Sequence, residues 1–406
     1  MKVLHVTTSS RGGAGIATLR LHKALIEYGV SSAFLSINQT INFDNKVVKD
    51  PFFEYKKPSL FKKIKNKIYP SKKIFFEREL NKLALQMKFE MATLPFSNYK
   101  IHEHPLFKEA DIINLHWIDG IIDYPSFFKN CDKPIVWTFH DMNPFRGIFH
   151  YLNDEFNNQN VASSFDAKIQ QIKKVSFQNI KRCTIVSPSK WMLQEVVNSN
   201  VFPNFFKIEI PNAIDFDVFK IQDNALLKKK YSINADEFVI LFVSDSIDIK
   251  RKGFDLLLES LTFIENRNTI ILVIGKGDIP EIPGFKIISL GEINSNTEMA
   301  ACFALADVFV LPSREDNLPN VMLESFACGT PIVGFKIGGV AEHTVTNVTG
   351  VLANDLTGFA LSQAIIELQN SVNEYHKETI RAYAKNNFGL KKQADSYYKV
   401  YHSFLG

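Results

Sequence analysis

Short runs of apolar residues recur along the whole chain, each bounded by turn-forming residues and each apolar throughout its length. In the first half these are KVLHVTT (2–8), SSAFLSI (31–37), DIINLHW (111–117), PIVWTFH (134–140) and CTIVSPS (183–189). In the second half they are KIEIPNA (207–213), FVILFVS (238–244), TIILVIG (269–275), FKIISLG (285–291), DVFVLPS (307–313) and PIVGFKI (331–337). A strand with one wet face alternates, whereas a strand covered on both faces stays apolar, so these runs suit a parallel sheet. Stretches between them, such as GFDLLLESLTFI and NVMLESFACG, read as crossover helices. The strand–helix alternation predicts an α/β, doubly wound architecture.

The series begins again after about residue 205. With 406 residues, two sheets of five or six strands fit better than one very large sheet. Pro203 and Pro211 break regular structure in VFPNFFKIEIPN (201–212), which marks the join. The expected domains are 1–203 and 204–387. A last helix within 388–406, carrying Tyr397, Tyr398, Tyr401 and Phe404, is expected to pack back on the first domain. Two doubly wound domains would face a central cleft, where strand carboxyl ends place ligands.

Composition narrows the function classes. A formal net charge of +4 is too small to imply nucleic acid, and no such partner is expected. Cys131, Cys183, Cys302 and Cys328 form no C-x-x-C pair, which argues against a zinc or redox motif and fits reduced cytosolic thiols. The opening MKVLHVTTSS has too short an apolar run for a secretory signal, and no stretch approaches the roughly 18 apolar residues of a membrane span. A cytoplasmic protein, peripheral on a membrane at most, is expected.

Four segments can carry chemistry. SSRGGAG (9–15) follows the first strand, and Gly12, Gly13 and Gly15 let backbone approach a ligand at a helix start. The spacing is not G-x-G-x-x-G, so it does not indicate dinucleotide binding. His116 with Trp117, and His140 with Asp141, close two strands. Either histidine alone reads as satisfied at its own strand end; two at one set of strand ends point to substrate hydroxyls. In KRKGFDLLLESL (250–261), Lys250, Arg251 and Lys252 precede a helix. Cations there oppose the helix dipole and make sense around a bound anion. SREDNLPNVMLESFACGTPIVGF (313–335) is the most informative segment, passing from a strand through an acidic loop into a helix. Seven residues separate Asp316 from Glu324. Amides around Asn320 and Val321 open the helix and suit a phosphate, while Glu324 suits ribose hydroxyls.

At these residues the chain resembles the family-4 (group 1) glycosyltransferases, which have the GT-B fold of two Rossmann-like domains. The resemblance runs along nearly the whole chain. It is strongest in 313–335, then in IPNAIDFDVF (210–219), KRKGFDLL (250–257), IVSPSKWM (185–192) and the GGAG turn. TFHDMNPFRGIFHY (138–151) resembles members that build bacterial surface polysaccharides and lipopolysaccharide. The resemblance implies retaining transfer of a sugar from a nucleotide sugar, UDP- or GDP-linked, to a glycan or lipid-linked acceptor. No cofactor is implied, and no metal. Lys252 and Arg251 would neutralise the diphosphate, and Glu324 would bind the ribose. Asp316 would lie near the donor sugar, with backbone at Asn317, Leu318, Asn320 and Val321 holding sugar hydroxyls and phosphate. His140 would contact the donor sugar, Gly12 and Gly13 would lie near phosphates and acceptor, and His116 and Asp141 on the acceptor side. Asp316, His140 and Lys252 are the expected catalytic set.

Two positions depart from the family's pattern. Asp316 stands where Glu is usual, and Ser246 stands about where an arginine would be, leaving Arg251 or Lys250 to replace it. These departures keep open a nucleotide-sugar-binding scaffold without catalysis; a nucleotide-sugar epimerase or hydrolase of the same fold is the other alternative. Asp215 and Asp217 spell D-x-D but lie inside IPNAIDFDVF, so metal is not expected there. His102 and His104, beside Pro105, read as a surface turn.

Between Glu54 and Glu77 lie eight lysines and no acids. Leu60, Phe61, Ile64 and Ile68 recur there at helical spacing, so 56–73 is expected either to lie on an anionic membrane or to pack on the first domain as a solvated helix. In the membrane reading Lys62, Lys63, Lys65 and Lys67 face the headgroups, each worth about 1 kcal/mol.

Overall fold

The apolar runs become the strands of two sheets. The computed structural model describes residues 1–54, 69–223, 225–265 and 268–405. The chain divides into a unit of Met1–Ile210 with Gln393–Gly406 and a unit of Pro211–Lys392.

The first unit contains β1 (Lys2–Val6), β2 (Ser31–Leu35), β3 (Thr40–Ile41), β4 (Val47–Val48), β5 (Ile112–Leu115), β6 (Ile135–Thr138), β7 (Cys183–Ser187) and β8 (Phe206–Glu209). They form one sheet in the order β4-β3-β2-β1-β5-β6-β7-β8. Pairing is parallel except at β2–β3 and β3–β4. Strand order reverses direction between β1 and β5, and ligands of open α/β sheets sit at the carboxyl ends of such a pair. On one face Trp137 packs edge-on against Tyr124, Phe139, Phe177 and Phe202.

The second unit contains β9 (Phe238–Ser246), β10 (Thr269–Lys276), β11 (Lys286–Gly291), β12 (Val308–Leu311), β13 (Ile332–Phe335) and β14 (Gly350–Ala353). All pair in parallel, in the order β11-β10-β9-β12-β13-β14. Its reversal lies between β9 and β12, the strands that lead into KRKG and into the acidic loop.

Two expectations are corrected. KIEIPNA, expected to open the second series, instead supplies β8 at the edge of the first sheet, paired with β7. Its half-exposed residues alternate in character, as an edge strand allows. The first sheet also has eight strands instead of five or six, because β3 and β4 are two-residue pieces too short to show a period.

The last helix, Leu390–His402, buries Gln393, Ala394, Tyr397, Val400 and Tyr401, a stripe with helical spacing. Within the first unit, Tyr401 Oη accepts from Asn114 Nδ2 at 2.7 Å, and Tyr397 Oη meets Thr138 Oγ1 at 2.9 Å. Tyr401→Phe would leave the buried Asn114 amide without that acceptor. A loss of about 1–3 kcal/mol is expected, read as a lower urea midpoint at unchanged m-value; an unmoved midpoint would contradict it.

The expected membrane lysines Lys62, Lys63, Lys65 and Lys67 lie outside the described residues. Among the described residues no helix is long and apolar enough to cross a membrane.

Candidate functional site

In the second unit, β9 runs into a 3-10 turn, Lys250–Lys252, and the helix Phe254–Leu261. Gly253 between them has φ +71°, and a Cβ there would strike the carbonyl of Pro312. Only glycine lets this turn lie against the end of β12. Lys252 Nζ is then 2.6 Å from Asp316 Oδ2, Arg251 Nη1 is 3.5 Å from the same oxygen, and Ser313 Oγ is 3.4 Å from it. Arg251 Nη1 also donates to the Glu315 carbonyl at 3.1 Å. These side chains are only 12–19% exposed. Burial pushes the Asp316 carboxyl up, but Lys252 and Arg251 outweigh it and hold it below the ordinary carboxylate value.

The structure thus brings together Arg251, Lys252 and Asp316, which lie 64 and 65 residues apart in sequence. It also separates the two candidates for the missing arginine. Lys250 is 80% exposed and pairs with Asp255, whereas Arg251 turns to Asp316. Ser246 Oγ accepts from the Asp248 amide within its own turn.

Sequence reasoning missed three supports of this site. Arg314 grips Asp255 with two hydrogen bonds of 2.8 and 3.0 Å, bracing the two loops. A Cβ on Gly338 (φ +42°) would strike the Asp316 carbonyl, and one on Gly339 the Asn317 carbonyl. The Gly339 amide donates to Asn317 O at 2.6 Å. The glycine pair in KIGGV was the available signal.

The helix Asn320–Ala327 follows Pro319 and has no side-chain cap; its Met322 amide donates to the Pro319 carbonyl at 3.1 Å. Asn212 Nδ2 ties its start, reaching Leu318 O and Asn320 Oδ1. Leu318 is buried in the core and Val321 packs against it, so these two offer a ligand backbone only. Glu324 sits one turn into the helix, 7% exposed. Asp215 Oδ1 accepts from the amides of Asp217 and Val218, so it closes a local turn.

In the first unit the helix Gly12–Glu27 starts at Gly12, φ +71°. A Cβ on Gly15 would strike the Ser9 carbonyl, so the GGAG turn packs tightly beside Gly13. Thr8 N and Thr7 Oγ1 both donate to Trp117 O, tying the ends of β1 and β5. His116 is buried between two other rings: His5 Nδ1 lies 3.0 Å from its Nε2, and His140 Nε2 lies 3.1 Å from its Nδ1. Burial lowers all three imidazoles, His140 to about 4. His116, Trp117, Asp119, His140 and Asp141 line a cavity of roughly 10 Å³, room for about one water. His104, expected in a surface turn, is instead buried: its Nε2 lies 3.0 Å from Asp50 Oδ2, and its Nδ1 accepts from Leu106 N.

Asp141 has both oxygens engaged inside the unit. Oδ2 accepts from Trp117 Nε1 (3.0 Å) and His150 Nδ1 (2.6 Å), and Oδ1 from Asn143 N (2.9 Å). Ligating atoms of Asp119, Asp141 and His150 lie within 4.8 Å of one another, which raises the question of a metal. Thr93 Oγ1 donates its one proton to Asp119 Oδ1 and so accepts from His150 Nε2 at 2.9 Å. Both His150 nitrogens then carry protons, and neither has a lone pair for an ion. Burial would lower the His150 pKa, but Asp141 and Asp119 reverse this and raise it. Burial pulls the nearby Lys173 down to about 8; its Nζ donates to Asn143 O and Oδ1. This arrangement is a buried ionic network that anchors the loop after β6.

The family described as "Glycosyl transferases group 1" matches residues 237–371, which hold both loops of the second unit's site. N-acetyl-alpha-D-glucosaminyl L-malate synthase of Bacillus anthracis is 26% identical over 242 residues, 56% of this chain and 61% of that protein. The capsular polysaccharide biosynthesis glycosyltransferase CapM of Staphylococcus aureus is 25% identical over 239 residues, 54% of this chain and 62% of its own length. The chain therefore spans less than two thirds of either relative. Anabaena HepE, solved in complex with UDP-glucose, superposes with a TM-score of 0.65 at 15% identity, over 99% of this chain and 100% of that one. Residues 237–371 match the group 1 glycosyl transferases, and the chain has the GT-B fold, with two parallel-sheet Rossmann-like units.

Proposed function

We propose that this protein transfers a sugar, with retention of anomeric configuration, from a nucleotide sugar to a glycan or lipid-linked acceptor in surface polysaccharide biosynthesis. The observation that carries this reading is the placing of Arg251 and Lys252 beside Asp316 at the β9/β12 reversal, next to an uncapped helix start and Glu324. Breaking the anomeric C–O bond moves negative charge onto the leaving diphosphate. Fixed cations and helix-start amides stabilise that charge without needing a metal. Lys252 and Arg251 would share the diphosphate, the amides from Asn320 would take a phosphate oxygen, and Glu324 would accept the ribose hydroxyls. The likeness to CapM favours surface glycans, and the HepE complex favours a UDP-sugar.

Thermal unfolding with UDP, GDP, ADP, CMP and their sugar conjugates tests the donor site. A nucleotide at 100 times its Kd adds about 2.7 kcal/mol, several degrees for a unit near 200 residues. One nucleotide series is expected to raise Tm, and Glu324→Ala to abolish the rise. Absence of any rise, together with no consumption of sugar nucleotide, would refute the reading. The anomeric configuration of the product decides retention.

A further inference from the structure

Three imidazoles cross neighbouring strands of the first sheet in a single file. His5 lies within β1, His116 just past β5 and His140 just past β6, and these strands are adjacent in the order β1-β5-β6. Each histidine stands one step nearer the carboxyl edge than the last. The two contacts join alternate nitrogens: His5 Nδ1 to His116 Nε2 at 3.0 Å, then His116 Nδ1 to His140 Nε2 at 3.1 Å.

A nitrogen–nitrogen contact of this length needs a proton on one atom and a lone pair on the other. A neutral imidazole carries one of each. Burial keeps all three rings neutral near pH 7. Only two arrangements then satisfy both contacts. Either every ring carries its proton on Nδ1, or every ring carries it on Nε2. Any mixture sets two protons, or two lone pairs, against each other.

The far end of the file chooses between them. His5 Nε2 is fully buried and has no hydrogen-bond partner. The all-Nε2 arrangement would strand a proton there, and a buried N–H without an acceptor bears its full desolvation cost. The all-Nδ1 arrangement leaves only a lone pair. We infer that His5 and His116 are positioning residues that lock His140 in its Nδ1–H tautomer, so that its Nδ1 acts as a hydrogen-bond donor and not as a base. A donor at this position suits an electron-rich oxygen, such as a sugar hydroxyl or a phosphate. That last step rests on the proposed function; the tautomer does not.

The test uses the full chain labelled with 15N-histidine, with long-range 1H–15N correlation at neutral pH to locate each proton. His5, His116 and His140 are expected to carry it on Nδ1. A wild-type His140 with its proton on Nε2, or equally shared, overturns the inference, and this reading needs no variant. In His116→Phe the His140 signal should move towards a mixture of tautomers, with turnover roughly ten- to a hundred-fold lower. His116→Asn should restore both, because its amide can donate to His140 Nε2 while accepting from His5. An unchanged His140 tautomer in folded His116→Phe also overturns the lock. If His140→Ala kept full turnover while the wild type showed Nδ1–H, the lock would stand and the role given to His140 in transfer would fall.

Discussion

Lys252→Ala is expected to lower kcat by about a hundred- to a thousand-fold, the usual effect of removing one fixed charge from a developing oxyanion. Lys252 has the shortest ionic contact with Asp316, 2.6 Å against 3.5 Å for Arg251. Under the proposed function, the donor's diphosphate would replace or share that carboxylate as its partner. Removing one member of a largely desolvated pair also destabilises the fold by a few kcal/mol, so stability and chemistry must be separated. Comparison with Asp316→Asn and with the double variant Lys252→Ala/Asp316→Asn measures how much of the stability loss belongs to this pair, while turnover should stay low in every variant that lacks Lys252. Steady-state kinetics with the donor found by thermal shift decides the matter. A wild-type kcat in Lys252→Ala would remove this residue from the mechanism.

Acid should begin to destabilise the first unit below about pH 6.5. His22 and His140 are each lowered from 6.5 to about 4, chiefly by burial. Between those values the unfolded chain binds protons that the folded chain refuses. The stability these groups contribute is therefore complete above about pH 6.5 and is lost as pH falls towards 4. Each is worth about 3 kcal/mol, and His5 and His116 act in the same direction. The loss from His22 and His140 alone rivals the whole stability of many domains. His150 has the opposite sign: its pKa is raised, so its contribution is full below 6.5 and fades as pH rises through the folded value. Maximum stability is expected near neutrality. Urea unfolding at half-unit steps from pH 8 to pH 4 measures the profile, and a flat midpoint between pH 6.5 and 4.5 would contradict it.

The parts legible in sequence were those written in contiguous residues. Apolar runs gave the parallel strands, and 313–335 together with KRKG located the constellation around Asp316. What escaped was set by register. The His5–His116 contact joins residues 111 apart, and the His116–His140 contact joins residues 24 apart. Nothing local to KVLHV shows that its histidine faces another strand's histidine. The Asp119–Thr93–His150–Asp141 network likewise exists only once β5 and β6 lie side by side. β8 was assigned to the wrong sheet because an edge strand needs only one partner, and its run does not say which. Gly338 and Gly339 were overlooked because their role is negative: they leave room for the carbonyls of Asp316 and Asn317.

The return of Gln393–Gly406 to the first unit imposes an order in time. Asn114 and its Tyr401 partner are 287 residues apart. At roughly 5–20 residues per second of synthesis, that gap takes on the order of 15–60 s. During that interval Pro211–Lys392, which is continuous in sequence, can complete its own sheet. The older unit must meanwhile keep the Asn114 amide and the Thr138 hydroxyl in contact with water. The part of the protein made first is therefore the part finished last.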